Sequence, residues 1–164
     1  MEGAGELIRH EPVEHGVIFN AAGKALYYVR SRPGEPYRVT VPFGKAGLLR
    51  GNVFLHNHPR SDSFSQADIW MLLRHGVRVM YAYGPERAFR MSTMANTRHF
   101  GYAQESAGGE ELRAAYWRSM DHARARFGRF VHAGLLSDEE AWIGQTHNVA
   151  RRMAAQFRFA YQEV

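Results

Sequence analysis

A chain of 164 residues has the length of one domain, and its 45% hydrophobic and 23% charged residues separate it from the polar compositions of disordered polypeptides. Cysteine is absent, which excludes a disulfide framework and any thiolate metal site and leaves metal binding to the nine histidines and the carboxylates. The net charge of +5 leaves an acidic partner open, nucleic acid included. Yet Arg113, Arg118, Arg124, Arg126, Arg129, Arg151, Arg152 and Arg158 alternate with Ala, Glu and aromatics as on a solvated helix face.

The opening MEGAGELIRHEP has no apolar core of signal-peptide length. No later stretch approaches the roughly 18 apolar residues that a membrane span needs, so the expectation is a soluble, cytoplasmic protein without a membrane partner. The first half then reads as strand-rich. GVIF (Gly16–Phe19), ALYYV (Ala25–Val29), YRVTV (Tyr37–Val41), NVFL (Asn52–Leu55) and VRVMYAY (Val77–Tyr83) are the strand candidates. Asn20–Gly23 reads as a hairpin turn and Arg32–Pro36 as a second loop, which suggests a meander of the early strands.

Between NVFL and VRVMYAY, residues Gln66–His75 carry Ile69, Leu72 and Leu73 at helical spacing, with Gly76 as a stop. The second half reads as helical. Glu110–Phe130 has an apolar stripe of Leu112, Tyr116, Met120, Ala123 and Phe127. A last helix begins at the capping pattern Ser137–Glu140 and carries Trp142, Val149, Met153, Phe157 and Ala160 on one side, all assigned to packing. The fold expected is α/β, a mixed sheet with flanking helices over residues 1–95, with a helical extension over 96–164 packed on it as one compact domain.

The segment that carries chemistry is His56-Asn57-His58-Pro59-Arg60-Ser61-Asp62-Ser63-Phe64-Ser65-Gln66-Ala67-Asp68. Two histidines one residue apart at a strand end point to the same side, so their imidazoles can converge on one cation. Pro59 ends the strand, and the loop returns the chain to a helix in which Asp68, one turn in, can supply a third ligand. Three protein ligands leave a fourth position to water, as catalytic zinc sites do. A nearby carboxylate is then wanted to carry the proton, and Glu14 is the candidate, with Glu11 as the alternative. Arg60 and Asp62 could touch substrate, although charged loop residues are commonly just solvated. Ser65 with Asp68 is also a capping box that would start the helix without any metal.

These residues resemble the JAMM/MPN (JAB) metallopeptidase-like family, in which an upstream Glu is followed by His-x-His-Pro, a short loop and Ser-x-x-Asp. His56, His58, Pro59, Ser65 and Asp68 match. The intervening Asn57 brings the pattern closest to the RadC-like bacterial branch and to JAMM-like domains of phage and toxin proteins. The resemblance runs from about Glu14 to Ser92 and implies a deaminase-like JAMM/MPN fold. It also implies Zn2+ on His56, His58 and Asp68, acid/base catalysis by Glu14 and oxyanion stabilisation by Ser65. The implied reaction is hydrolysis of an amide, peptide or isopeptide bond in a peptide or protein substrate, ubiquitin-like proteins included. One departure is the loop between His58 and Ser65, whose six residues are one fewer than the commoner family spacing. Two other readings remain at this stage, a RadC-like nucleic-acid-associated protein and a non-catalytic zinc-binding interaction module.

Overall fold

The computed structural model describes residues 2–101 and 105–164. Its centre is one six-stranded mixed sheet built from β1 (His15–Phe19), β2 (Ala25–Arg30), β3 (Val53–Asn57), β4 (Val79–Tyr83), β5 (Ala88–Thr93) and β6 (Phe159–Glu163). The strands lie in the order β2-β1-β3-β4-β5-β6. Every neighbouring pair is antiparallel except β3 and β4. A parallel pair needs a crossover, and α2 (Gln66–His75) supplies it between those two strands. A short α1 (Glu2–Ile8) precedes the sheet, and α3 (Glu105–His132) and α4 (Asp138–Phe157) precede β6.

β3 is buried at all of its positions, as expected of a strand covered on both faces. Its alternation sorts the core into two. Phe54 enters the main cluster with Ile69 and Leu72 of α2, Met80 of β4, and Met153 and Phe157 of α4. Val53 and Leu55 point the other way, into a smaller cluster with Ile8 and Tyr83. His56, two residues beyond Phe54, shares its face and stacks on its ring, with centroids 5.1 Å apart and planes 17° apart. α2 follows its expected bounds, with Ser65 as N-cap in a full capping box with Asp68 and Gly76 as a left-handed C-cap at φ 65°. α4 likewise opens on the Ser137–Glu140 capping box.

Several expectations are corrected. Tyr37–Val41 is not a strand, because its polar backbone serves Glu14 instead of a ladder: Val39 N donates to Glu14 Oε2 at 2.9 Å and Glu14 N donates to Pro36 O at 2.7 Å. The early strands do not form a simple meander, since a 3-10 helix at Phe43–Leu49 carries the chain across and β3 joins β1 on the side away from β2. β5 was not expected, and the second half is not purely helical. Arg158 adopts a left-handed C-cap at φ 59°, so α4 stops at Phe157 and Ala160 belongs to β6. The terminal third therefore completes the sheet as well as covering it.

The loop after β3 is fastened to the end of β4. His58 N donates to Tyr83 O at 2.8 Å, and Glu86 N donates to Ser61 Oγ at 3.3 Å. Gly84 permits this approach, because a Cβ there would stand 2.5 Å from Ser61 Cα. Gly84→Ala should cost about 1–3 kcal/mol by overpacking and lower the thermal midpoint by roughly 3–10 °C. A scanning calorimetry midpoint within about a degree of the parent would show that the loop and β4 are not tightly joined.

Candidate metal centre

Three elements converge at the C-terminal end of β3. His56 comes from the strand itself, opposite Gly16 of β1 and Ala82 of β4. His58 follows where the strand ends, and Asp68 sits in the first turn of α2. All three are buried. His56 Nε2 is 2.9 Å from His58 Nε2 and 3.3 Å from Asp68 Oδ1, and His58 Nε2 is 3.6 Å from Asp68 Oδ2. A tetrahedral ion with bonds of about 2.0–2.1 Å sets its donor atoms about 3.3–3.4 Å apart; the His56–Asp68 distance matches this, and the two imidazole nitrogens stand closer than it by a few tenths of an ångström. Two nitrogens and one carboxylate oxygen could hold a metal ion here.

The surroundings orient these donors. Asp68 Oδ2 accepts hydrogen bonds from Ser65 N at 2.8 Å and Ser65 Oγ at 2.6 Å, which fixes the carboxylate and turns Oδ1 towards His56. The serine is thus engaged in the capping box while it also lines the cleft. His58 Nδ1 lies 2.9 Å from the Asp62 carbonyl, a contact that places a proton on Nδ1 and leaves Nε2 to face the cluster. His56 Nδ1 is buried without a partner, so its ring is held by the Phe54 stack.

Glu14 lines the same cleft, a cavity of about 300 Å3 whose lining also includes Tyr37, Val39 and Val41 and, from α2, Trp70 and Met71. Burial raises its carboxyl, and the facing charges of His58 and His56 pull part of that back. Glu11 instead lies beside His15, its Oε2 3.8 Å from His15 Nε2. The residue that sets this arrangement is Asn57, whose sequence position marks a resemblance but gives no role. Its side-chain amide donates to Glu11 O at 3.2 Å and Val13 O at 3.1 Å, and its carbonyl accepts from His15 N at 2.6 Å. Asn57 therefore clamps the backbone on both sides of Glu14, and its place between two inward-facing histidines was the available signal.

Other assignments change. Trp142, read as packing, is 38% exposed, and its Nε1–H donates to Asp62 Oδ2 at 3.3 Å. Asp62 thus serves His58 and Trp142 instead of being merely solvated. Arg60 lies at the cleft, its guanidinium 4.4 Å from the centroid of Tyr37. His75 also lines the cleft, while His147 Nδ1 pairs with the Tyr161 hydroxyl at 2.7 Å. Among the described residues no helix is long and apolar enough to cross a membrane. Compared with protein-family models, curated proteins and solved structures, the chain matches none.

Charge at the cluster is set by mutual contact. Burial opposes the charged form of His58, but hydrogen bonds to Asp62 and Asp68 and their negative charges outweigh it and raise His58 well above 6.5. Burial would likewise raise Asp68, yet the charge and hydrogen bonds of His56 and His58 hold it well below 3.8. The raised His58 stabilises the metal-free fold fully below pH 6.5, and that contribution is lost as pH rises through its native value. The Asp68 contribution is present above pH 3.8 and lost as pH falls through its depressed value. A metal ion must displace the Nε2 proton of His58, so binding strengthens over the range in which that proton leaves. The difference in thermal midpoint between metal-loaded and metal-free protein should keep widening above pH 6.5, read by a thermal-shift titration. A difference that is constant or shrinks there would contradict this assignment of charge.

Proposed function

We propose that this protein is a zinc-dependent hydrolase of an amide, peptide or isopeptide bond, of the JAMM/MPN type that its motif resembles. The observation that carries the reading is the buried His56–His58–Asp68 cluster, of which His58 and Asp68 line one cleft together with Glu14. Zinc suits a set of two imidazoles and one carboxylate, and among small cations the nitrogen donors disfavour magnesium and calcium. When bound, zinc would polarise the scissile carbonyl and acidify a water at its open position.

The chain's own groups would supply the remaining chemistry. Glu14 holds Oε2 against Val39 N–H, leaving Oε1 to take a proton from the attacking water and deliver it to the leaving amine. Burial raises its carboxyl, which makes the Glu14 carboxylate a stronger base for the first half of that exchange. Ser65 Oγ–H, which bonds Asp68 Oδ2 in this structure, would turn to the oxyanion as charge develops there. The apolar lining of the cleft, Val39, Val41, Trp70 and Met71, would suit an extended peptide and help to exclude bulk water from the reacting bond.

Glu14→Gln keeps the shape and the Val39 contact but cannot cycle a proton. It should retain one zinc per chain, measured by metal analysis, while turnover of a peptide or ubiquitin-like fusion panel falls by about 10^2–10^4-fold. Unchanged turnover would remove Glu14 from the mechanism.

A second reading, association with nucleic acid, is favoured by one feature, a groove between α3 and α4 lined by Arg118, His122 and Arg152. Phosphate contacts weaken steeply with salt, so labelled single- and double-stranded DNA and RNA should bind at low salt and release as salt rises. No binding at low salt would eliminate that reading.

A further inference from the structure

The two imidazoles of the cluster are oriented by different means. On the side away from the cluster, His56 has ring packing, and its Nδ1 is buried with no partner among the described residues, whereas His58 meets Asp62 twice, through the backbone carbonyl at 2.9 Å and through Oδ1 at 3.2 Å. The second oxygen of that carboxylate accepts from Trp142 Nε1–H, 80 residues further along the chain. Trp142 lies near the start of α4, and its neighbours reach the same loop. Ser63 N donates to Thr146 Oγ1 at 3.1 Å, and Ser63 Oγ lies 2.7 Å from the hydroxyl of Tyr161 on β6. The loop between His58 and Ser65 is therefore held from outside by the terminal third of the chain.

We propose that Asp62 and Trp142 are positioning residues for the metal centre, Asp62 holding the His58 ring with Nε2 turned to the ion and Trp142 holding the Asp62 carboxylate. This rests on the zinc reading above and extends it: α4 is part of the site's construction and not a separate attachment. The physical reason is tautomer and angle. A metal-ligating imidazole binds through one nitrogen only if the other carries the proton, and a carboxylate at that proton fixes the ring and increases its donor strength. Trp142 contributes direction, because an indole N–H is a donor only and, at 38% exposed, this side chain is not placed primarily to fill the core.

The test is zinc affinity by competition with a chromophoric chelator, together with the visible spectrum of the cobalt(II)-substituted protein, both well below the unfolding temperature. Asp62→Ala should weaken zinc by roughly 10- to 100-fold and shift the cobalt bands. Asp62→Asn keeps an acceptor for Nδ1–H and should recover part of that loss. Trp142→Phe keeps an aromatic ring and removes the donor, so it should weaken zinc by roughly two- to tenfold, the size of one net hydrogen bond. A purely structural role would lower the metal-free thermal midpoint yet leave affinity and cobalt bands of the folded variants unchanged, which overturns the inference. If Asp62→Ala does not fold, parental affinity in both Asp62→Asn and Trp142→Phe overturns it equally. Parental protein that binds neither zinc nor cobalt would instead overturn the zinc reading itself, which separates the two failures.

Discussion

Asp68 accepts from the Ser65 amide and hydroxyl through one carboxylate oxygen and meets His56 through the other, and the centre is organised around that division. The same hydrogen bonds cap α2, so the helix that crosses over between β3 and β4 cannot start elsewhere without moving a donor atom. Helix start and ligand placement are one constraint. Folding brings together a buried carboxylate and two imidazoles, and burying charge of this kind is tolerated because the partners are close, although His56 Nδ1 finds no hydrogen-bond partner among the described residues. The pKa directions of His58 and Asp68 express that pairing.

From this point the rest of the molecule reads as support. β3 is central and fully buried, which gives the histidines a rigid base. Gly84 lets the end of β4 lie against the metal loop, Asn57 clamps the segment that carries Glu14, and Tyr37–Val41 closes over Glu14. α4 and β6 hold the far side of the loop through Trp142, Thr146 and Tyr161. Every one of these contacts joins segments distant in sequence.

That distance explains what could and could not be read from the residues alone. α2 was legible to the residue because Ser65, Asp68 and Gly76 are local signals, and the grouping of His56, His58 and Asp68 was legible because strand alternation and helix entry determine it over thirteen residues. Tyr37–Val41 misled because its alternation fits a strand while the Val39 N–H at its centre is taken by the Glu14 side chain, a partner 25 positions away. β6 was hidden because FAYQE continues the apolar spacing of α4, and the break depends on the left-handed backbone of Arg158. Trp142 was read as core since its spacing fits the stripe, whereas its indole hydrogen bond to Asp62 is a tertiary fact. The mixed sheet with flanking helices agrees with the expected α/β class at that level.

The proposed function stands or falls on whether His56, His58 and Asp68 bind one zinc ion. X-ray absorption at the zinc edge, on protein given one equivalent of zinc and desalted, tests it directly. One zinc per chain should be retained in a nitrogen and oxygen shell at about 2.0–2.1 Å, with multiple-scattering features of two imidazoles that fall to one in His56→Ala. Failure to retain zinc, or a spectrum that His56→Ala leaves unchanged, would contradict it.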